Sequence, residues 1–322
     1  MQAALKLEKV EKAFGAQRAV SSLDLQVPKG ETCGLIGPSG AGKTTSIRLI
    51  MSILFPDSGK VEVLGRASAL DAKDRVGYLP EERGVYRKMK VGAFLKYLAG
   101  LKGTPESVAL ARAKELLEQL GLDDILQKKC EDLSKGMLQR VQFVGCILHQ
   151  PELLILDEPF SGLDPVSVRM LKSVIAAERR RGTTILFSTH VMAQAEELCD
   201  RVVMIHKGRK VLDESMSTLR RRYDPTRVLF EPLNAGADLS ALRSVPGVVS
   251  LQQGDGEAEL KLANGTDPAA VIREVAARVV PARIEIARIR LEDVFVGFVR
   301  GEGGESEAAL RQHLQGLAGE KA

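Results

Sequence analysis

The sequence contains a glycine-rich segment whose spacing is typical of a phosphate-binding loop. Residues 37–45 read GPSGAGKTT and fit the pattern G-x-x-x-x-G-K-[ST], between a predicted strand and a predicted helix. Backbone N–H groups in such a loop bind phosphate oxygens, and the dipole of the following helix assists them. We expect Lys43 to reach the β- and γ-phosphates and the Thr44 hydroxyl to hold Mg²⁺. The predicted nucleotide contacts here are Gly37, Pro38, Ser39, Gly40, Ala41, Gly42, Lys43, Thr44 and Thr45.

A second segment with potential chemistry places two adjacent carboxylates after a short apolar run. Residues 153–159, LLILDEP, put Asp157 and Glu158 at the carboxyl end of a predicted buried strand. Carboxylates are costly there unless they meet a cation or a reacting group. We expect Asp157 to hold Mg²⁺ and Glu158 to polarise an attacking water. His190 ends another buried run, TILFSTH, and is predicted to sense the γ-phosphate.

Each of these segments also has a purely structural interpretation. The loop fits an ordinary glycine-rich turn, the acid pair fits a solvated strand end, and a single histidine at a strand end is more often structural than catalytic. Their joint presence favours a nucleoside triphosphatase. A GTPase would usually carry an Asn-Lys-x-Asp element, which neither Asn234 nor Asn264 begins, so these residues leave the base open.

The elements around these segments predict an α/β core. Apolar and polar residues alternate over 5–28, which is typical of antiparallel strands with one wet face. The apolar runs at 153–156 and 184–188, separated by a helical pattern over about 165–180, form a βαβ rhythm and therefore predict a parallel sheet. Residues 90–150 are mostly helical in pattern, which predicts a helical insertion within this core.

A boundary near RRRYDPT, 220–226, predicts a first domain over 1–222 and a second domain after it. Residues 226–300 follow the order strand, helix, strand, strand, helix, strand, with the first helix expected over 238–245. This order matches the ferredoxin-like split βαβ unit and predicts a small α+β domain. An amphipathic helix is expected from Leu291 onward, and the Gly-, Glu- and Ala-rich residues 301–322 are expected to form a flexible tail.

The composition argues against several classes of protein. The net charge of +4 over 322 residues is too small and too evenly spread to indicate nucleic acid binding. No run approaches the about 18 apolar residues of a membrane span, and the N-terminus lacks the apolar core of a signal peptide. We therefore expect a soluble chain. The four cysteines fit no metal-binding spacing and are expected to be reduced thiols.

A further segment, LSKGM at 133–137, resembles the signature of ABC-type ATPases, usually written LSGGQ. The phosphate loop, this signature, the acid strand, SGLD at 161–164 and His190 occur in the order of that family, over roughly residues 4–220. The resemblance implies an ABC-type P-loop core with ATP and Mg²⁺. It also implies a head-to-tail homodimer, in which each ATP lies between the loop of one subunit and the Ser134 helix start of the other. A helix N-terminus with a serine hydroxyl is physically suited to an anion.

The resemblance implies roles for further residues. Phe14 falls where the family stacks an aromatic ring on adenine, and Ser161, Gly162 and Asp164 fall where it links the two sites of the dimer. Ser134 also fits a simple helix N-cap, and Phe14 also fits strand-edge packing. The nucleotide contacts expected from the signature are Ser134, Lys135, Gly136 and Met137.

The chain departs from the usual family pattern at two places. Lys135 and Met137 replace glycine and glutamine in the signature, and Glu81 in GYLPEERG stands where most members have a glutamine. Glu81 is an acceptable oxygen ligand for Mg²⁺, but unlike glutamine its carboxylate cannot donate a hydrogen bond to water. Together with the extra C-terminal domain, these departures resemble the NatA-like branch of sodium-extrusion and drug-export ATPases.

We therefore expect an ATP-hydrolysing subunit of an ABC exporter that powers a separate integral membrane permease. It would be cytoplasmic and peripheral on the inner face of the cell membrane, and it would bind no nucleic acid. Residues 84–95 fall where the family receives the permease's coupling helix, although Arg87, Lys88 and Lys90 also fit a solvated face.

Two other functions compete with this expectation. A soluble ABC ATPase acting on nucleic acid or ribosomes usually carries tandem cassettes, zinc-binding cysteine pairs or coiled-coil insertions, and none is visible in this sequence. A non-hydrolysing ATP-dependent regulator is disfavoured because Glu158 and His190 are both present.

Overall fold

The computed structural model describes residues 2–82, 84–222, 227–254, 256–263, 265–287 and 290–300. The chain divides into two compact units, one built mainly from Met1–Met216 and the other mainly from Ser217–Gly297. Each unit has its own sheet system and its own apolar core.

The first unit contains strands and helices in alternation. Its strands are β1 (Ala3–Phe14), β2 (Gln17–Pro28), β3 (Thr32–Ile36), β4 (Ser58–Val63), β5 (Val76–Leu79), β6 (Leu153–Asp157), β7 (Thr184–Thr189), β8 (Arg201–His206) and β9 (Arg209–Ser215). Its helices are α1 (Lys43–Ile50), α2 (Val91–Gly100), α3 (Glu106–Gln119), α4 (Lys135–Ile147), α5 (Pro165–Arg180) and α6 (Met192–Leu198), and α7 (Met216–Arg222) follows. Among the described residues, no helix is both long and apolar enough to cross a membrane.

The central sheet has the strand order β5-β6-β7-β3-β8-β9. All neighbouring pairs are parallel except the β8–β9 hairpin, so the predicted parallel sheet is confirmed. Strands β3, β6 and β7 are apolar over most of their length and completely buried. Asp157 pairs with Ser188, and Thr189 pairs with Ile36, so the carboxyl ends of these three strands meet at one edge. Sites of open α/β folds form at this edge.

A smaller antiparallel sheet, in the order β2-β1-β4, covers one side of this core. Alternate residues of β1 and β2 are buried, as the period of two in residues 5–28 predicted. Their buried faces share one apolar cluster with β3, β6, β7 and β8. The end of β1, where Phe14 lies, is therefore part of the same unit as the phosphate loop.

The predicted helical insertion is present as α2, α3 and α4, which pack against one another between β5 and β6. Helix α4 begins after Ser134, whose side chain accepts a hydrogen bond from the Met137 N–H at 3.2 Å. Ser134 is therefore a true N-cap. The four cysteines are unpaired in this structure, and three of them are buried.

The second unit contains an antiparallel sheet in the order β11-β12-β10-β13. Its elements are β10 (Arg227–Pro232), β11 (Val248–Gln253), β12 (Ala258–Leu262), α8 (Pro268–Arg278), β13 (Pro281–Ile286) and α9 (Leu291–Arg300). The buried side of the sheet forms an apolar cluster with residues of α8. Leu291 and Val294 on α9 are buried, as expected for an amphipathic helix, while the predicted tail at 301–322 lies outside the described residues.

One predicted helix of this unit is wrong. The segment expected to be an α-helix over 238–245 is a short 3₁₀ turn, Ser240–Ser244. Asp238 accepts hydrogen bonds from the N–H and hydroxyl of Ser240, both at 2.8 Å, which starts the turn. Pro246 then favours an extended conformation at Val245, whose ψ is 128°, and five residues are too few for an α-helix.

Candidate nucleotide site

The phosphate loop adopts a conformation that only glycine accommodates at two of its positions. Gly37 has φ +152°, and a Cβ atom there would lie 2.2 Å from the carbonyl oxygen of Ile205. Gly42 has φ +109°, and a Cβ atom there would lie 2.4 Å from the carbonyl oxygen of Ala19. Gly42 is also the N-cap of α1 and provides no side-chain cap, so the first N–H groups of the helix are left for a ligand.

Lys43 is buried within this loop, with 6% of its surface exposed. Its Nζ donates to the carbonyl oxygens of Gly37 and Pro38, at 2.8 and 3.1 Å, and lies 3.6 Å from Oε1 of Glu158. The ammonium group is thus held over the loop with a carboxylate as its ion-pair partner. A triphosphate could replace the neutral carbonyls as a stronger, charged acceptor.

Asp157 has a carboxylate oxygen that fits a cation. Its Oδ1 accepts hydrogen bonds from the hydroxyls of Ser188, at 2.5 Å, and Thr44, at 3.4 Å. Its Oδ2 is buried and has no hydrogen-bond partner among the described residues. Burial raises the pKa of Asp157, and the charges of Glu81 and Glu158 raise it further, while the two hydroxyls oppose the shift. A buried carboxylate oxygen without a partner, beside a threonine hydroxyl, is the donor set that Mg²⁺ prefers.

Glu158 and His190, predicted separately, are brought into direct contact. Nδ1 of His190 lies 3.0 Å from Oε2 of Glu158, and because a carboxylate only accepts, Nδ1 carries the proton. Glu158 is 9% exposed, whereas half of the His190 side chain is accessible. Glu158 also has φ +48°, an uncommon conformation for a glutamate that is often retained at functional sites.

Ser188 is a site residue that sequence reasoning missed. It is completely buried, its hydroxyl donates to Asp157, and its oxygen accepts from the backbone N–H of Glu158 at 3.0 Å. It therefore fixes the positions of both carboxylates. A polar residue within the buried run TILFSTH was the available signal, but its role depends on the pairing of β6 with β7.

A cleft of about 450 Å³ extends from the phosphate loop to Phe14. Phe14 is 51% exposed. Arg18 and Lys207 line the same cleft and were not predicted. The turn that carries Lys207 is held beside the loop because the Gly208 N–H donates to the Ala41 carbonyl at 2.9 Å. The cleft is lined by Phe14, Gln17, Arg18, Ala19, Gly40, Gly42, Lys43, Thr44, Thr45, Lys207 and Gly208.

The Ser134 helix start is not part of this cleft. A Cβ atom on Gly136 would lie 3.4 Å from the Leu163 side chain, and Gln139 donates to the Pro159 carbonyl at 2.6 Å. Lys135 is exposed. Within the described part of the chain, no hydrogen bond or ion pair joins residues 134–137 to residues 37–45. The two predicted phosphate-binding segments are therefore separate in one subunit.

Asp164 has a structural role in the single chain. Its Oδ1 caps α5 by accepting from the N–H groups of Val166 and Ser167, both at 3.0 Å. The hydrogen bonds from Ser167 lower the pKa of Asp164, followed by the bond from Val166. Ser161 is held by a bond from its N–H to the Glu158 carbonyl at 3.1 Å, and Gly162 has φ +72°.

The charge of Glu81 contributes to the raised pKa of Asp157, after the larger effect of burial. The segment around it is tied to two helices. Glu82 lies 3.5 Å from Arg48 of α1, and the Gln142 side chain of α4 donates to the Gly84 carbonyl at 3.3 Å. That Glu81 holds Mg²⁺ stays a prediction.

Comparisons with known proteins identify the family. The family model for ABC transporters matches residues 20–161, and the model for the C-terminal domain of DrrA1-3-like ATP-binding proteins matches residues 215–299. The uncharacterized ABC transporter ATP-binding protein YhaQ of Bacillus subtilis is 37% identical over 292 residues, which cover 91% of this chain and 97% of that protein. The chain therefore belongs to the ATP-binding proteins of ABC transporters, a family of ATPases.

The same family is found among more distant relatives and solved structures. The ABC transporter ATP-binding protein NatA of Bacillus subtilis is 35% identical over 206 residues, covering 63% of this chain and 84% of NatA. A solved structure of the ATP binding subunit of an ABC transporter superposes with a TM-score of 0.64 at 31% identity, covering 68% of this chain and 93% of that one. The predicted ABC-type core and the extra C-terminal domain are thus confirmed.

Proposed function

We propose that this protein hydrolyses ATP in a head-to-tail homodimer with two composite sites and thereby drives a separate membrane permease. The observation that carries the proposal is a difference between the two predicted phosphate-binding segments. The loop at 37–45 lines the cleft and has charged side chains around it, whereas the Ser134 helix start lies outside the cleft. Lys43, Asp157 and Glu158 form a joined cluster around the loop, whereas the helix that begins after Ser134 is bonded within its own chain, from Gln139 to the carbonyl oxygen of Pro159. A second subunit would bring that helix start to the exposed side of the ATP.

The residues around the loop have distinct chemical roles in this proposal. Loop N–H groups and Lys43 bind the phosphates, and Phe14 stacks on adenine. Thr44, Asp157 and Glu81 are the residues that would hold Mg²⁺, which when bound neutralises phosphate charge.

Glu158 accepts the proton of the attacking water in this proposal, and His190 positions it through the Nδ1 hydrogen bond. Ser188 keeps the backbone of Glu158 and the carboxylate of Asp157 at fixed separation. These side chains therefore prepare the attack on the γ-phosphate.

The direction of transport and the partner follow from the resemblance to the export branch. The departures at Glu81, Lys135 and Met137, together with a DrrA-like C-terminal domain, support an exporter. We infer a cytoplasmic subunit, peripheral on the inner face of the membrane, whose segment at 84–95, exposed at Tyr86, Arg87 and Lys88, receives the coupling helix of an integral permease.

The second unit is proposed to be a ferredoxin-like accessory domain that stabilises the dimer or regulates turnover. Its strand order and its amphipathic helix α9 support this assignment. Truncation after residue 224 should weaken ATP-induced dimerisation or change the ATPase rate. Unchanged values of both would refute the role.

The central experiment uses Glu158→Gln, because removal of the general base should trap bound ATP. We expect turnover to fall by about 10²-fold or more, and we expect light scattering to show a monomer that becomes a dimer only with ATP. Adding Ser134→Arg should leave ATP binding intact and abolish the dimer. If ATP binds to Glu158→Gln without forming a dimer, the composite-site proposal is wrong for the isolated subunit, and a regulatory role becomes the better explanation.

A further inference from the structure

The side chain of Phe14 is supported from one side by a hydrogen-bonded ion pair. Nζ of Lys12 lies over the Phe14 ring, 5.8 Å from its centroid. Lys12 lies two positions before Phe14 on β1, and the contact between them places both side chains on one side of the chain. Only 18% of the Lys12 side chain is exposed, compared with 43% for Lys6 on the same strand. Lys12 is thus held against the ring and does not extend into solvent.

Asp57 fixes the position of this lysine. Its Oδ1 accepts from Nζ of Lys12 at 2.6 Å, and its Oδ2 accepts from the Ala13 N–H at 2.7 Å. Its own N–H donates to the Glu11 carbonyl at 2.9 Å. The hydrogen bond from Lys12, followed by the bond from Ala13, lowers the pKa of Asp57, so its carboxylate stays charged at neutral pH. Three bonds therefore join Asp57 to the end of β1, where the ring is attached.

A cation on one face of an aromatic ring changes the π-electron density on the other face. It draws π-electron density toward itself, and it limits rotation of the ring. Phe14 borders the nucleotide cleft and is half exposed. Because Lys12 occupies one face of the ring, a planar base in the cleft can stack on the face that remains. A phenylalanine has no hydroxyl to anchor it, so its orientation depends on such neighbours.

We propose that Lys12 and Asp57 are positioning residues for the purine base: Asp57 holds Lys12 against Phe14, and Lys12 orients the ring for stacking. This inference rests on the proposed ATP site. The cleft then has two parts that contribute separately to the free energy of nucleotide binding. The phosphate loop binds the triphosphate, and the Asp57–Lys12–Phe14 cluster binds the base. Loss of the cluster should therefore affect only ligands that contain a base.

The test compares a ligand with a base and one without. ADP affinity is measured by calorimetry on the purified full chain, and tripolyphosphate affinity by competition with ADP. Lys12→Met should weaken ADP binding by about two- to fivefold and leave tripolyphosphate binding unchanged. Asp57→Asn should act in the same direction, and Lys12→Arg should restore the affinity for ADP. Lys6→Met is the matched control, because Lys6 lies on the same strand but pairs with Glu8, and it should change neither affinity.

The outcomes separate the positioning role from the ATP site itself. Unchanged ADP affinity in Lys12→Met would overturn the positioning role, provided that the wild-type chain binds ADP. An equal loss of ADP and tripolyphosphate affinity would also overturn it, because the effect would then lie at the phosphate loop. A wild-type chain that binds neither ligand would instead overturn the proposed function. Thermal melting of each variant, with Lys12→Arg as the conservative substitution, detects any loss of folding.

Discussion

Helices α1 and α4, which begin at the two predicted phosphate-binding motifs, differ in how the N–H groups of their first turns are capped. Helix α1 starts at Gly42, which offers no side-chain cap, and its first residue, Lys43, is buried beside Glu158. Helix α4 starts at Ser134, which caps its own helix, and its first residue, Lys135, is exposed. Neither first turn contains an acidic residue, so both helix dipoles favour an anion.

This difference separates the two helix starts by what surrounds them in the single chain. The α1 site contains buried charges, which are costly and are kept because they are arranged for the phosphates before the ligand arrives. The start of α4 is already capped by Ser134, so it does not destabilise the single chain. The buried charges of the candidate site therefore lie at α1, and the start of α4 carries none.

The largest expected effect is on the free energy of unfolding, when the glycine at each helix start is replaced by alanine. Gly42→Ala should lower the free energy of unfolding by about 3 kcal/mol, since φ is +109° and the new Cβ would meet the Ala19 carbonyl at 2.4 Å. Gly136→Ala should raise it by about 1 kcal/mol, because alanine favours the helix and the nearest atom, on Leu163, is at 3.4 Å. Urea denaturation measures both, and a similar loss in the two variants would contradict the comparison.

An intermediate effect is expected from neutralising the buried carboxylate. Asp157→Asn should stabilise the ligand-free chain at pH 7 by about 1 kcal/mol while abolishing Mg²⁺-dependent hydrolysis. Burial raises the pKa of Asp157, so the folded state favours the protonated form, and stability is lost as the pH rises through that pKa. The advantage of the asparagine should therefore disappear as the pH falls through the same range, which thermal melts at a series of pH values would show.

Asp164→Asn is the matched control for this experiment. The pKa of Asp164 is lowered by its capping hydrogen bonds, so its charged form stabilises the fold above the usual carboxyl pKa. Its replacement should lower the melting temperature at pH 7, opposite in sign to Asp157→Asn. Shifts of the same sign in both variants would argue against the burial of an unpaired charge at Asp157.

The smallest effect on stability is expected at Ser134. Aspartate is as good an N-cap as serine, so Ser134→Asp should change the free energy of unfolding by less than about 0.5 kcal/mol, while Ser134→Ala should lower it by about 1 kcal/mol. The added negative charge should nevertheless repel a γ-phosphate and prevent ATP-induced dimerisation. If light scattering on the Glu158→Gln background shows a normal dimer with Ser134→Asp, Ser134 is only a cap.

The site residues that the sequence predicts are those whose pattern lies within a few consecutive positions. The loop at 37–45 and the pair Asp157 and Glu158 depend on residue types and spacing within a few positions, and the structure brings them together. Ser188 was missed because its contacts arise from the register of β6 against β7, which joins positions 31 residues apart. The helix predicted over 238–245 failed because Pro246 and the turn at Asp238 outweigh a weak helical pattern.

The amino-acid sequence by itself determined which groups are available: the phosphate loop, the acid pair, the histidine, and the motif order that identifies the family. Only the tertiary structure decided which of these groups meet. It paired His190 with Glu158, left one oxygen of Asp157 without a partner, and placed Lys12 and Asp57 around Phe14. The physical reason is that motif chemistry is encoded over short spacings, whereas strand register and core packing set distances between residues far apart in the chain.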